Sequence, residues 1–187
     1  MRTRDIPNLI SVVRILLVGP LVWLLLAQRF GPALVLFVIA GLSDALDGFL
    51  AKRYGWVSRL GSILDPIADK LLMVCAYLTL GWLALLPLWL VAAVIARDLI
   101  IVGGAVYYQL RIARVEMAPT LISKANTLFQ ILLVFMVLAD QVRSLPSILT
   151  DTLLVIVLTT TLASGASYIW IWSRRANEVV EARRRDD

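Results

Sequence analysis

SDALDGFLAKRYGWVSRLGSILDPIAD, residues Ser43 to Asp69, places four carboxylates, Asp44, Asp47, Asp65 and Asp69, in a chain that otherwise reads as membrane along most of its length. Asp44, Asp47, Gly48 and Ala51 follow the i, i+3, i+4, i+7 spacing of one helix face. Gly61, Asp65 and Asp69 recur every four residues, which is one face of the next helix. The polar segment between them, Lys52 to Arg59, reads as a turn. The two faces can then meet and gather the carboxylates beside small residues. Bare carboxylates in lipid are costly, so such a cluster calls for a cation or a water-filled cavity.

The setting is set by composition. Of 187 residues 60% are hydrophobic, and the mean hydropathy is +0.87, well above a soluble domain. Several apolar runs approach or exceed the roughly 20 residues that cross a bilayer as a helix. The chain therefore reads as an all-α integral membrane protein, a single domain over residues 1–187, since no polar linker is long enough to divide it. The net charge of +5 suits anionic lipid headgroups and not nucleic acid, because the basic residues sit at helix ends. Cys75 is the one cysteine and His is absent. An intrachain disulfide is thereby excluded, and the commonest general base and transition-metal ligand are missing.

Taken in order, Met1 to Arg14 mixes polarity and carries Pro7 where a first helical turn would start, which suggests an N-terminal interfacial segment. Six transmembrane helices are expected, over about 15–27, 33–53, 60–81, 87–109, 122–138 and 149–172. A charged tail follows, read as a solvated helix end. Pro66 should kink or loosen the third helix. Arg2, Arg4, Lys52, Arg53, Arg59, Arg111, Arg114, Arg174, Arg175 and Arg183 to Arg185 fall on the side of the termini, against Arg29 and Arg143 opposite. The positive-inside rule then makes the termini and the acidic cluster cytoplasmic. Trp82, Trp89, Trp170 and Trp172 lie near span ends, as in aromatic belts.

Carboxylates without His or Cys suit hard divalent cations, Mg²⁺ or Mn²⁺, one or two of them. Two such ions about 3.5–4 Å apart can clamp a phosphoryl group. Gly48 and Ala51 leave room for a bulky diphosphate against the backbone, with Lys52 and Arg53 at its rim. In a membrane, these features point to phosphoryl chemistry on a lipid with a pyrophosphate headgroup.

The pattern D44xxD47G48xxA51K52, followed after eight residues by G61xxxD65xxxD69, resembles the signature of the CDP-alcohol phosphotransferases. Lys52 stands where that family usually has Arg, keeping the charge without the fork. The opening IPNLISVVR and the run LDPIADK are similar to those of phosphatidylglycerophosphate synthases and of the cardiolipin synthases built on this fold. Ala96-Arg97-Asp98 and PTLISKANTLFQ, with its Ser123-Lys124-Ala125-Asn126-Thr127 segment, lean toward the cardiolipin synthases.

The resemblance implies that Asp44, Asp47 and Asp65 ligate a metal pair, with Asp69 contributing to it and acting as general base. It implies further that Gly48, Ala51, Lys52 and Gly61 border CDP-diacylglycerol. The donor's β-phosphorus would be attacked by the hydroxyl of phosphatidylglycerol, giving cardiolipin and CMP. Glycerol 3-phosphate, giving phosphatidylglycerophosphate, is the alternative acceptor. Arg97, Arg111 and Lys124 are candidate acceptor ligands, with a buried structural pair as the plainer explanation for Arg97 and attraction to anionic lipid for Arg111. A homodimer is implied, and a bacterial inner membrane is expected from the compact length and the missing transit peptide. Two other classes stand beside this reading. A cation transporter would need acidic or polar groups along the full membrane depth, of which helices 5 and 6 carry almost none, and a non-catalytic lipid-binding scaffold would not need every carboxylate.

Overall fold

The computed structural model describes residues 6–54, 61–111 and 120–186, with side chains placed for residues 10–44, 65, 67–104, 120–171 and 174. Its elements are six helices: α1 Ile6–Leu26, α2 Phe30–Tyr54, α3 Gly61–Trp82, α4 Leu88–Arg111, α5 Leu121–Val142 and α6 Ser147–Asp186. Among the described residues there is no strand. The helix count and order match the sequence reading. Several boundaries do not: α2 starts at Phe30 and not near residue 33, α5 runs to Val142 and not near 138, and α6 continues unbroken into the charged tail as far as Asp186. Lys52 to Tyr54 belong to α2 and not to the expected turn, because Ala51, Lys52 and Arg53 favour helix and no breaker precedes Gly55. Of Met1 to Arg14, expected as an interfacial segment, residues 6–14 are continuous with the first helix.

The short connections are built locally. Gln28, at φ 55°, ends α1 in a Schellman arrangement: its N–H donates to Leu25 O (2.9 Å) and the Arg29 N–H to Leu24 O (2.8 Å). Ala84, at φ 57°, ends α3 in the same way, with the Ala84 N–H on Gly81 O (3.1 Å) and the Leu85 N–H on Leu80 O (2.9 Å). The Thr120 side chain caps α5 by accepting from the Ser123 N–H at 3.2 Å. That cap fixes the first turn in which Ser123 and Lys124 stand.

Contacts gather into two compact units, Met1–Leu88 with Val134–Leu149, and Trp89–Leu133 with Thr150–Asp187. In the first, α1 packs on α2 and α3. The buried side of α1 is a single stripe, Ser11, Arg14, Val18, Leu21 and Leu25, at alternating spacings of three and four. Facing residues include Ala33, Phe37 and Ala40 of α2 and Ala68, Leu72, Ala76 and Leu80 of α3. The alanines let helices approach closely. Each stripe is apolar along most of its length and turns polar at one end. For α1 and α3 that is the N-terminal part; for α2 it is the C-terminal part, beginning at Asp44. Antiparallel succession brings those ends to one level.

The second unit buries Leu90, Val91, Val94, Arg97 and Asp98 of α4, Ser123, Asn126, Gln130 and Leu133 of α5, and Val157, Thr161, Ser164 and Tyr168 of α6. Its interior is thus rich in polar groups, whereas outward positions in both units are apolar: Leu16, Val35, Leu99 and Leu162 are all more than half exposed. A water-soluble fold shows the opposite polarity. By length and composition, Leu121–Val142 and Ser147–Ile171 can each cross a membrane.

Candidate active site

The polar ends of the three stripes in the first unit meet. Ser11 Oγ donates to Asp65 Oδ1. One turn further along α1, Arg14 Nη1 donates to Asp69 Oδ1 and lies 2.8 Å from Asp44 Oδ1. Three carboxylates from two helices, distant in sequence from α1, are therefore collected by two side chains of α1. Arg14 is 1% exposed, while the Asp44 and Asp69 side chains are each 45% exposed. The cation is sealed beneath carboxylates that remain open to solution, as a site that receives a soluble headgroup requires.

Arg14 is incompletely used. Its Nε and Nη2 are buried and have no hydrogen-bond partner among the described residues. Arginine ordinarily meets carboxylates with two parallel donors, yet here one nitrogen serves two carboxylates. Buried donors are nearly always paired. Beside this guanidinium lies a cavity of about 170 Å³ lined by Ile10, Val13, Arg14, Leu17, Ala40 and Ser43.

Asp47, Gly48, Ala51 and Lys52 lie on α2, Gly61 on α3 and Arg111 at the end of α4, with side chains outside the described residues. Among the described residues no group of three or more carboxylate, thiol or imidazole ligands is close enough to hold a metal ion, and Asp47 is not among them. The chemistry of the donor set nevertheless fits a hard divalent cation. The oxygens that converge are those of carboxylates and of the Ser11 hydroxyl, and Asp44 and Asp69 already turn Oδ1 atoms onto one positive centre, Arg14 Nη1.

The second unit holds a separate polar cluster. Arg97 directs Nη1 to Asp98 Oδ1 (2.7 Å), Nε and Nη2 to Ser164 Oγ (3.2 and 2.9 Å), and Nη2 also to Ser123 Oγ. Neighbours on an ideal helix are set about 100° apart, yet the long arginine side chain curls back far enough to reach Asp98. Asn126 Oδ1 accepts from the hydroxyls of Thr160 (2.8 Å) and Thr161 (2.9 Å), a second tie between α5 and α6. Gly165 packs its Cα side against the Arg97 stem, 3.8 Å from where a Cβ would stand. Lys124 is exposed.

Ser11 and Arg14 had no role in the sequence reading. The signal was present: both lie on the same three-four stripe as Val18, Leu21 and Leu25, so a charged residue stood on an otherwise apolar helix face.

Residues 4–171 match the family profile described as CDP-alcohol phosphatidyltransferase. The chain belongs to that family. Among curated CDP-alcohol phosphatidyltransferase relatives, the rat (Rattus norvegicus) cardiolipin synthase (CMP-forming) is 36% identical over 195 residues, covering 95% of this chain and 64% of the relative. The human enzyme of the same name is 35% identical over 193 residues, covering 94% and 64%. The chloroplastic CDP-diacylglycerol–glycerol-3-phosphate 3-phosphatidyltransferase 1 of Oryza sativa subsp. japonica is 38% identical over 151 residues, covering 71% and 46%. The chain thus spans just under two thirds of the length of these cardiolipin synthases. Within the family profile fall both the acidic cluster and the α1 residues that collect it.

Proposed function

We propose that the protein is a phosphatidyltransferase that takes CDP-diacylglycerol as donor and phosphatidylglycerol as acceptor, giving cardiolipin and CMP. The observation that carries this reading is the convergence of Asp44, Asp65 and Asp69 on Ser11 and Arg14 at one level of three packed helices. The rat and human relatives are cardiolipin synthases (CMP-forming), which supports cardiolipin and CMP as the products. The rice relative supports the second reading, glycerol 3-phosphate as acceptor and phosphatidylglycerophosphate as product.

In this reading Asp44, Asp47, Asp65 and Asp69 hold one or two Mg²⁺ or Mn²⁺ ions. When bound, these supply positive charge that neutralises the diphosphate and lowers the acceptor hydroxyl's pKa. Asp69 takes the proton of the acceptor hydroxyl. The hydroxyl oxygen bonds to the β-phosphorus, the one esterified to diacylglycerol, and the bond from that phosphorus to the bridging oxygen breaks. CMP leaves with that oxygen. Gly48, Ala51 and Gly61 give the nucleotide close approach to the helix backbone, and Lys52 adds charge beside its phosphates. Arg111 and Lys124 are assigned to the acceptor's phosphate. Arg97 is assigned to holding α4, α5 and α6 together, because its three nitrogens are already engaged.

The same reading includes a single six-span membrane domain over residues 1–187, with termini and acidic cluster at the cytoplasmic face of a bacterial inner membrane, and a homodimer. The apolar outward faces and polar interior support the membrane setting. The deciding experiment incubates purified protein with CDP-diacylglycerol and Mg²⁺ or Mn²⁺, adding phosphatidylglycerol or glycerol 3-phosphate, and follows CMP and lipid products. Cardiolipin formed only from phosphatidylglycerol is the expected result. CMP release with glycerol 3-phosphate alone selects the second acceptor, and no CMP release with either acceptor overturns the transferase reading.

A further inference from the structure

Arg14 presents a combination that a purely structural ion pair does not need. It is 1% exposed, and its Nη1 alone serves an oxygen of Asp44 on α2 and an oxygen of Asp69 on α3. Nε and Nη2 are buried without partners among the described residues. A guanidinium placed to hold two carboxylates permanently would use its fork. One nitrogen between two oxygens is instead the arrangement of a small bridging cation.

The geometry points to Arg14 as the resident counter-cation of the cluster: it neutralises Asp44 and Asp69 when no divalent ion is bound, and gives up this oxygen pair when one binds. The inference rests on the reading of the aspartates as metal ligands and adds a competitor to it. Two positive centres cannot share the same pair of oxygens at contact distance, because their repulsion in a partly buried site is large. The carboxylates are half open to solution, so an ion can reach them, whereas Arg14 sits beneath, on the α1 stripe. A compact dication gathers oxygen ligands more closely than a guanidinium does. With Nη1 released, all three Arg14 nitrogens become donors at the base of a site that takes a diphosphate. Arg14 thus acts through the carboxylates as a positioning residue.

The test is Mn²⁺ binding to the full chain in detergent, read by electron paramagnetic resonance, together with the Tm in EDTA and in saturating Mn²⁺. Arg14→Gln is expected to bind Mn²⁺ at least tenfold more tightly than wild type. Its Tm should fall in EDTA, and Mn²⁺ should raise it by more than it raises the wild-type value. A merely structural arginine would give unchanged or weaker Mn²⁺ binding in this variant, and that result overturns the inference. Arg14→Lys retains a competing charge and should bind Mn²⁺ within about threefold of wild type; binding as tight as in Arg14→Gln also overturns it.

A wild-type structure determined with Mn²⁺ provides an arm that needs no variant. Nη1 should have left hydrogen-bond distance of Asp44 or Asp69, and an unmoved Nη1 beside a bound ion refutes the exchange. Failure of the underlying reading looks different: wild type and Arg14→Gln would both bind no Mn²⁺, and the inference would fall with the metal site. Mn²⁺ binding that is lost in Asp44→Asn but not strengthened in Arg14→Gln leaves the metal site standing and removes only the role given to Arg14.

Discussion

Arg14 and Arg97 are both almost fully buried, at 1% and 4% exposure, each at the polar end of a packed unit. Their surroundings differ. Arg97 engages all three nitrogens with Asp98, Ser123 and Ser164, tying α4 to α5 and α6. Arg14 engages one nitrogen with two half-exposed carboxylates and leaves two nitrogens without partners among the described residues. Burial alone would rank the two residues together. Satisfaction separates them, because a fully bonded buried cation holds one arrangement, while a partly bonded one sits where another ligand can enter.

The largest effect that would sharpen this contrast lies at the unsatisfied site. Asp69→Asn keeps the shape of the side chain and removes its basicity, so CMP release should fall by about 10²–10⁴-fold, with nucleotide binding largely spared. Turnover retained in that variant, measured with CDP-diacylglycerol and phosphatidylglycerol, would take Asp69 out of the role of base.

Stability should respond most in the other unit. Arg97→Met strips Ser123, Ser164 and Asp98 of this partner and should cost about 3–5 kcal/mol, read from unfolding in detergent. Mn²⁺ affinity should not change. A loss below about 1 kcal/mol would mean that the network is not holding the helices, and the contrast would fail from that side.

Arg14→Gln should destabilise the metal-free chain less than Arg97→Met does, by about 1–3 kcal/mol. The carboxylates it leaves behind are half exposed and can be hydrated, and the change also removes two buried donors that have no partner among the described residues. Equal losses at the two positions would show that the unpartnered nitrogens of Arg14 carry no energetic meaning. Thr161→Val removes one of the two hydroxyls on Asn126 Oδ1 and should cost the least, about 0.6 kcal/mol, the average for hydrogen bonds between membrane helices. A much larger loss would move Asn126 from auxiliary tie to the centre of the second unit.

Much of the fold could be read before any coordinates. The six helices and their order follow from apolar run lengths, whereas Pro32, just ahead of the expected start of the second helix, lies inside α2. Lys52 and Arg53, being charged, open the stretch that reads as a turn over Lys52 to Arg59, although both favour helix and Lys52 to Tyr54 lie in α2. The carboxylate faces were also legible, because spacings of three and four report which residues share a helix side. Arg14 escaped because a cation near an apolar run's start reads as an interfacial anchor until its stripe is traced. The sequence leaves Arg97 open between acceptor ligand and buried structural residue, because its spacing to Ser123 and Ser164, 26 and 67 residues away, carries no periodic signal.

The sequence by itself determined the helices, their apolar stripes and the shared faces of the carboxylates, since these depend on contacts within a turn or two of one helix. Only tertiary structure decided what the carboxylates meet. Ser11 and Asp65 are 54 residues apart, Arg14 and Asp69 are 55 apart, and no local periodicity selects one such pair over another. Helix packing does so, by setting which polar ends share a level and which buried donors find partners there.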